Sequence, residues 1–267
     1  MHQTEPNRFQ TFYEEDKYIH LKNYLYNYRL RKMSLEKSFQ HERPELVLEE
    51  GCGISPVLTR SDRIVYSDLS FTALKILKHT HKRGCYVVAD AIHLPFKAGV
   101  FSHAVSSEVL EHIEDDYKAL KELARVMKPS GRLMVTFPHR RKYFANDDRF
   151  VNHFRRYELP EMERRLKTAG FRPIVIQKVL GPLEKVTMCF VVFCFSVLQN
   201  RKPRKIKNTR KINWINVFAP FFNWLNRLYM GPVWLDAMIM PRALSAVLLI
   251  DSILSEKPAT NCKGPFS

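Results

Sequence analysis

From residue 46 to residue 180 the chain alternates short apolar segments with helical ones, and the early apolar segments stop at acids or glycines. Leu46 to Glu49 runs into Gly51-Cys52-Gly53, Ile64 to Ser67 stops at Asp68, and Cys85 to Ala89 stops at Asp90. Phe101 to Ser106 leads into Glu108, Arg132 to Phe137 is halted by Pro138, and Ile174 to Leu180 comes last. Between them Ser70 can cap a helix reaching about His79, a helix over 115–127 closes at Lys128 to Gly131, and a helix over 159–168 ends at Gly170. Strands that are apolar on nearly every residue belong to a parallel sheet covered on both faces. The expected fold class is therefore α/β: Rossmann-like and doubly wound, with a mainly parallel sheet.

Three regions follow. Residues 1–43 read as an N-terminal helical cap, with Tyr and Leu recurring at helical spacing from Tyr13 to Gln40 and Pro44 beyond. Residues 44–180 carry the alternating units. Residues 181–267 break the pattern and read as an apolar and basic helical appendage. The apolar run Val186 to Leu198 falls short of the roughly twenty residues that span a bilayer. The basic stretch Arg201 to Lys211 and the aromatic stretch Trp214 to Tyr229 follow it. Half of the net charge of +16 falls in this last third, where a basic stripe attracts phosphates of lipid heads or nucleic acid. Five scattered cysteines with no CxxC pair, and a polar start, point to a cytoplasmic protein.

The glycines after the first strand allow a tight turn and close approach of a ligand to the backbone. In an open parallel sheet the ligand lies beyond the carboxyl ends of the strands, where strand order reverses. Acids at three successive strand ends suit a ligand with an ammonium, a ribose diol and an adenine. Glu49, beside the glycines, can pair with the ammonium, Asp68 can accept the ribose hydroxyls, and Asp90 the adenine amino group. That combination is S-adenosylmethionine. A pyrophosphate would be repelled by the acid beside the loop, which argues against a nicotinamide cofactor.

The series Glu49-x-Gly51-Cys52-Gly53, Asp68-Leu69-Ser70, Asp90-Ala91 with Leu94-Pro95-Phe96, Ser107-Glu108-Val109-Leu110-Glu111-His112 and Arg125 to Gly131 resembles the class I S-adenosylmethionine-dependent methyltransferases, in particular the group acting on small molecules, quinones and lipids. The resemblance covers residues 44–180. It implies a seven-stranded sheet, with the loop Gly51, Cys52 and Gly53 facing methionine. By the same likeness Asp68 and Leu69 face the ribose, Asp90 and Ala91 the adenine, and Ser106, Ser107 and Glu108 the floor below the sulfonium. The chain departs from the pattern at Glu49, where Asp is commoner, and at Ser55, which replaces the third glycine. The family's last strand, antiparallel between strands five and six, has no clear candidate. The expectation is that the chain stops at Gly264 to Ser267 short of it.

Methyl transfer is an in-line displacement that rests mainly on positioning, with a base useful for a hydroxyl or phenol acceptor. His139, just beyond strand five, is the candidate base at the mouth of the cleft. His153 and Arg156 are candidates for closing the acceptor pocket. His112 with Asp115 and Asp116 reads as a capped helix start, so no metal site is expected. The loop after strand four lacks the Asn/Asp-Pro-Pro-Tyr pattern of base-amino methylation, which makes nucleic acid an unlikely acceptor. The appendage has what an interfacial element needs, rings at head-group depth and cations for anionic lipid. The expected function is methyl transfer to a small, hydrophobic or lipid-like acceptor, with residues 186–229 meeting an anionic membrane surface. The alternatives are a non-catalytic scaffold and an RNA methyltransferase.

Overall fold

The structure, a computed structural model, describes residues 23–40, 42–59, 61–200 and 214–255. The basic stretch from Arg201 to Lys211, the first half of the expected N-terminal helix and the C-terminal Gly264 to Ser267 lie outside the described residues. Within them, α1 (Tyr26–Ser38) precedes β1 (Val47–Glu50), β2 (Ile64–Asp68), α2 (Phe71–His81), β3 (Cys85–Val88) and β4 (Phe101–Ser107). Then come α3 (Asp116–Val126), β5 (Met127–Pro138), α4 (Asn146–Phe150), α5 (Leu159–Ala169) and β6 (Phe171–Leu180). Two long helices, α6 (Pro182–Asn200) and α7 (Trp214–Ile239), lead to β7 (Val247–Leu254).

The helix boundaries follow local chemistry. The Ser70 hydroxyl accepts from the Ala73 amide at 3.2 Å and opens α2, and the Asp115 carboxylate accepts from the Lys118 amide at 3.0 Å and opens α3. Gly170 closes α5 in the left-handed conformation, φ 101°. Along α3, Ala119, Leu120, Leu123 and Val126 are buried at helical spacing. Each of its buried leucines contributes roughly 1.5–3 kcal/mol relative to exposure.

The seven strands form one sheet in the order β3-β2-β1-β4-β5-β7-β6. Successive residues serve opposite faces. Leu48, Ala104, Leu133, Val135, Leu248 and Ile250 pack under α3 and α5, whereas Val47, Val105, Met134 and Leu249 pack with side chains of α1, α2 and α7. Strand order reverses between β1 and β4, which pair in parallel, so the β1/β4 boundary is the switch point.

The expectation of a missing last strand is overturned. β7 is that strand: it lies antiparallel to both β5 and β6 and is buried over Val247–Ser252. Asp251 is an isolated charge inside an apolar run, which is costly to bury unless it is paired. In the folded chain it is buried beside Arg132 of β5, which donates to its carboxylate. The helical appendage is thus α6 and α7, followed by a return to the sheet. α7 packs on the domain itself. Tyr229 meets Tyr26 edge-on at 5.0 Å, and Lys178 Nζ donates to the carbonyls of Met238 and Met240 at 2.7 and 2.8 Å. No described helix is long and apolar enough to cross a membrane.

Candidate active site

A cavity of about 270 Å³ opens at the carboxyl ends of β1, β2, β3 and β4. The glycine turn after β1 forms one wall. Gly51 and Gly53 both adopt positive φ, 67° and 55°. A Cβ at Gly51 would stand 2.4 Å from Val109 Cγ2, so only glycine leaves room for the β4 loop to close against the turn. The Gly53 amide donates to Asp68 Oδ2 and the Ser70 amide to Asp68 Oδ1, both at 2.8 Å. Two backbone donors therefore fix the Asp68 carboxylate between the glycine turn and the start of α2. On the next strand the Asp90 carboxylate accepts from the Ile92 amide at 3.1 Å and remains exposed at the rim.

Of the residues expected to hold a cofactor, Glu49, Gly51, Cys52, Asp68, Leu69, Asp90, Ala91, Ser107 and Glu108 line this cavity. Gly53 and Ser106 stand behind it. Gly53 orients Asp68, and the Ser106 hydroxyl donates to Glu50 Oε2 at 2.8 Å. Glu49 differs from expectation in what it holds. Its two oxygens accept the amides of Val57 and Leu58 at 2.6 and 3.0 Å, so its carboxylate organises the loop after the glycine turn.

His139 does not stand at the mouth of the cleft. Its ring is buried away from the cavity, with Nδ1 2.9 Å from the Ser245 carbonyl, and burial lowers its pKa below the usual histidine value. The segment leading into β7, unforeseen from the sequence, is what covers it: the His139 amide donates to the Ala246 carbonyl at 2.8 Å. Arg156 is likewise internal. Its Nε donates to Asp148 Oδ1 at 2.7 Å, and Lys185 of α6 joins the same carboxylate at 2.6 Å. These charges tie α4 to α6.

Three lining groups were given no cofactor role from the sequence. Tyr28 and Arg31 come from α1. The Tyr28 hydroxyl donates to the Pro56 carbonyl at 2.7 Å, and Arg31 reaches Glu108 Oε2 at 3.3 Å. Their only sequence trace is the position of polar groups on the α1 face that also carries Leu35. The third is Glu50, buried at the end of β1 and pushed up to about 7, chiefly by burial and further by Asp68 and Asp90, against the Ser106 hydrogen bond. Its trace was a second acid where an apolar strand residue is expected. Glu108 itself adopts φ 55°, a strained conformation for a residue with a side chain, at the cavity floor.

Five carboxyl groups (Glu49, Glu50, Asp68, Asp90 and Glu108) share the described lining with one guanidinium, Arg31. That donor set fits a cationic nucleoside with a diol and repels a pyrophosphate. S-adenosylmethionine matches on both counts.

Comparison with known proteins agrees with this geometry. Residues 48–135 match the family model described as a methyltransferase domain. A probable S-adenosylmethionine-dependent methyltransferase of Mycobacterium tuberculosis is 30% identical over 131 residues, 47% of this chain and 48% of the relative. Demethylmenaquinone methyltransferase of Streptomyces griseus is 35% identical over 80 residues, 30% and 35% of the two chains. A tRNA (carboxymethyluridine(34)-5-O)-methyltransferase of Arabidopsis thaliana is 28% identical over 134 residues, 46% and 33%. The chain spans less than two thirds of the length of the curated relatives it matches. In fold it resembles Haemonchus contortus phosphoethanolamine N-methyltransferase 2 solved with S-adenosylmethionine, with a TM-score of 0.59 at 16% identity over 94% of this chain and 61% of that one. By sheet order, glycine turn and sequence match, residues 48–135 form a methyltransferase domain similar to those of the class I S-adenosylmethionine-dependent methyltransferases.

Proposed function

We propose that the protein is an S-adenosylmethionine-dependent methyltransferase that acts on a small, hydrophobic or lipid-like acceptor at a membrane surface. The observation that carries the methyltransferase reading is the cavity at the strand switch point, where the glycine turn, Asp68 and Asp90 meet. When bound, S-adenosylmethionine supplies a methyl carbon made electrophilic by the sulfonium charge. Asp68, held by two amides, receives the ribose hydroxyls, and Asp90 with Ala91 receives the adenine. The Gly51–Gly53 turn lets methionine approach the backbone. Glu50 gives the cationic end a carboxyl whose pKa is pushed up to about 7, chiefly by burial and further by Asp68 and Asp90. Positioning of this kind contributes up to roughly 7–11 kcal/mol to a bimolecular displacement.

The acceptor class is argued from the outer helices. Val186, Phe190 and Phe193 on α6 and Phe221, Trp224, Leu228 and Trp234 on α7 are each more than half exposed. Isolated apolar side chains on a surface are ordinary, but seven on two adjoining helices exceed that. Aromatic rings flanking a basic segment suit the head-group layer of an anionic bilayer. The quinone-modifying relative in Streptomyces griseus is in keeping with such an acceptor. A second reading, an RNA acceptor, draws on the Arabidopsis thaliana relative and on the net charge of +16.

Titration calorimetry with S-adenosylmethionine tests the first half; absence of heat would leave a scaffold. Labelled methyl transfer into a lipid extract, a polar extract and total tRNA tests the second. Incorporation confined to tRNA would replace the lipid acceptor by RNA.

A further inference from the structure

One cluster beside the cavity has no part in cofactor binding. A single helical turn, Leu110–His112, follows Glu108 and turns Glu111 inward. Glu111 is completely buried, and neither carboxylate oxygen has a hydrogen-bond partner. An ionised carboxylate is not left in that state without compensation. His153 Nε2 lies 3.8 Å from Glu111 Oε1, beyond hydrogen-bond reach. Two ligands bonded to one ion at about 2.0–2.2 Å lie roughly 3–4 Å apart, which is this separation. The His112 ring stands 4.6 Å from the His153 ring, and one donor atom from each of Glu111, His112 and His153 falls within 4.8 Å of the others.

The surroundings are those of a ligand set. His153 Nδ1 is 2.9 Å from Asp148 Oδ1, and Asp148 also accepts from Arg156, from Lys185 at 2.6 Å and from the Ala145 amide at 2.9 Å. A histidine that donates Nδ1–H to an anchored carboxylate presents the Nε2 lone pair, the usual outer-shell support of a metal-bound imidazole. Here the Nε2 atom faces Glu111. His112 and Glu108 both line the cavity, so the cluster borders the space available to a substrate.

We propose that Glu111, His112 and His153 bind one divalent first-row transition ion, with its remaining coordination positions directed toward the cavity for an oxygen of the methyl acceptor. Two imidazoles and one carboxylate select Zn²⁺, Mn²⁺, Fe²⁺ or Co²⁺ over Mg²⁺, which prefers oxygen alone. The acceptor clause rests on the proposed function, whereas the ion site stands on its own geometry.

The test uses Co²⁺ as the probe on chelator-treated full-length protein. Wild type is expected to bind one Co²⁺ per chain, read by its visible absorption and by calorimetry, and to yield it to Zn²⁺. Glu111→Gln and His153→Ala are expected to weaken Co²⁺ binding at least tenfold, and His112→Ala, at a half-buried position, provides a variant less exposed to folding failure. S-adenosylmethionine calorimetry on the metal-free protein reads the cofactor site separately, so loss of either activity leaves the other measurable. Sub-stoichiometric Co²⁺ in wild type, or unchanged affinity in folded His112→Ala and Glu111→Gln proteins, overturns the ion site. With the site present, an unchanged Co²⁺ spectrum on adding a hydroxyl-bearing acceptor overturns the acceptor clause.

Discussion

Glu50→Gln should make the ligand-free protein more stable, and increasingly so as pH rises. The Glu50 carboxyl lies at the buried end of β1 with one hydroxyl partner, Ser106, and its pKa is pushed up to about 7 from an ordinary value of 4.5. Between those values the folded chain holds a proton that the unfolded chain has released. Its contribution is therefore fully present below about pH 4.5 and is lost as pH rises through 7. A shift of about 2.5 units corresponds to about 3 kcal/mol, most of which accumulates between pH 5 and pH 8. Glutamine keeps the shape and the hydrogen bond to Ser106 but carries no charge to bury. Urea denaturation of wild type and variant at pH 5 and pH 8 measures the difference. Glu184, also buried and pushed up to about 7, titrates in both proteins and cancels in the comparison. The variant's advantage should be less than about 1 kcal/mol at pH 5 and about 3 kcal/mol at pH 8. An advantage equal at the two pH values would refute the claim that burial of this carboxyl governs its titration. The same charge acts in the opposite direction on ligand binding, so Glu50→Gln should weaken S-adenosylmethionine affinity while it strengthens the fold.

Gly51→Ala combines a positive φ with a Cβ 2.4 Å from Val109 Cγ2, and should cost about 2–4 kcal/mol in urea denaturation together with measurable loss of cofactor affinity; normal stability would mean that the turn relaxes freely. Asp251→Ala leaves Arg132 without its buried β7 partner and should cost about 3 kcal/mol, lowering the thermal midpoint, whereas the paired change Arg132→Met with Asp251→Leu should recover much of it. The exposed pair Phe221 and Trp224, stacked at 6.0 Å, contributes little to the fold: replacing both with Ser should shift stability by less than about 0.5 kcal/mol per site yet reduce co-sedimentation with phosphatidylserine vesicles. Unchanged sedimentation would remove these rings from any membrane contact.

A glycine pair after an apolar run announces a tight turn, a serine or aspartate ahead of a helical period announces a cap, and strands apolar on both faces announce a covered parallel sheet. Those signals depend on residues within a few positions of one another. Gly51, Gly53, Ser70, Asp115 and Gly170 therefore behave in the structure as their neighbours in the chain dictate. The convergence of Asp68 and Asp90 also followed, because parallel strands joined by crossovers bring successive carboxyl ends to one edge.

The remainder depended on pairs that no local window contains. The Asp251 charge inside β7 is met by Arg132, 119 residues earlier in the chain. The segment leading into that strand then buried His139, whose position past β5 had suggested an open cleft. Arg31 reached Glu108 across the β1 switch point, and His153 reached Glu111 across 42 positions of chain. A charge or an imidazole carries no mark of its partner. Sequence specified the turns, caps and strand faces because short-range sterics and hydrogen bonding determine them. Only the assembled tertiary structure decided which charges were neutralised by burial in pairs and which side chains shared the cavity, because those outcomes depend on long-range packing.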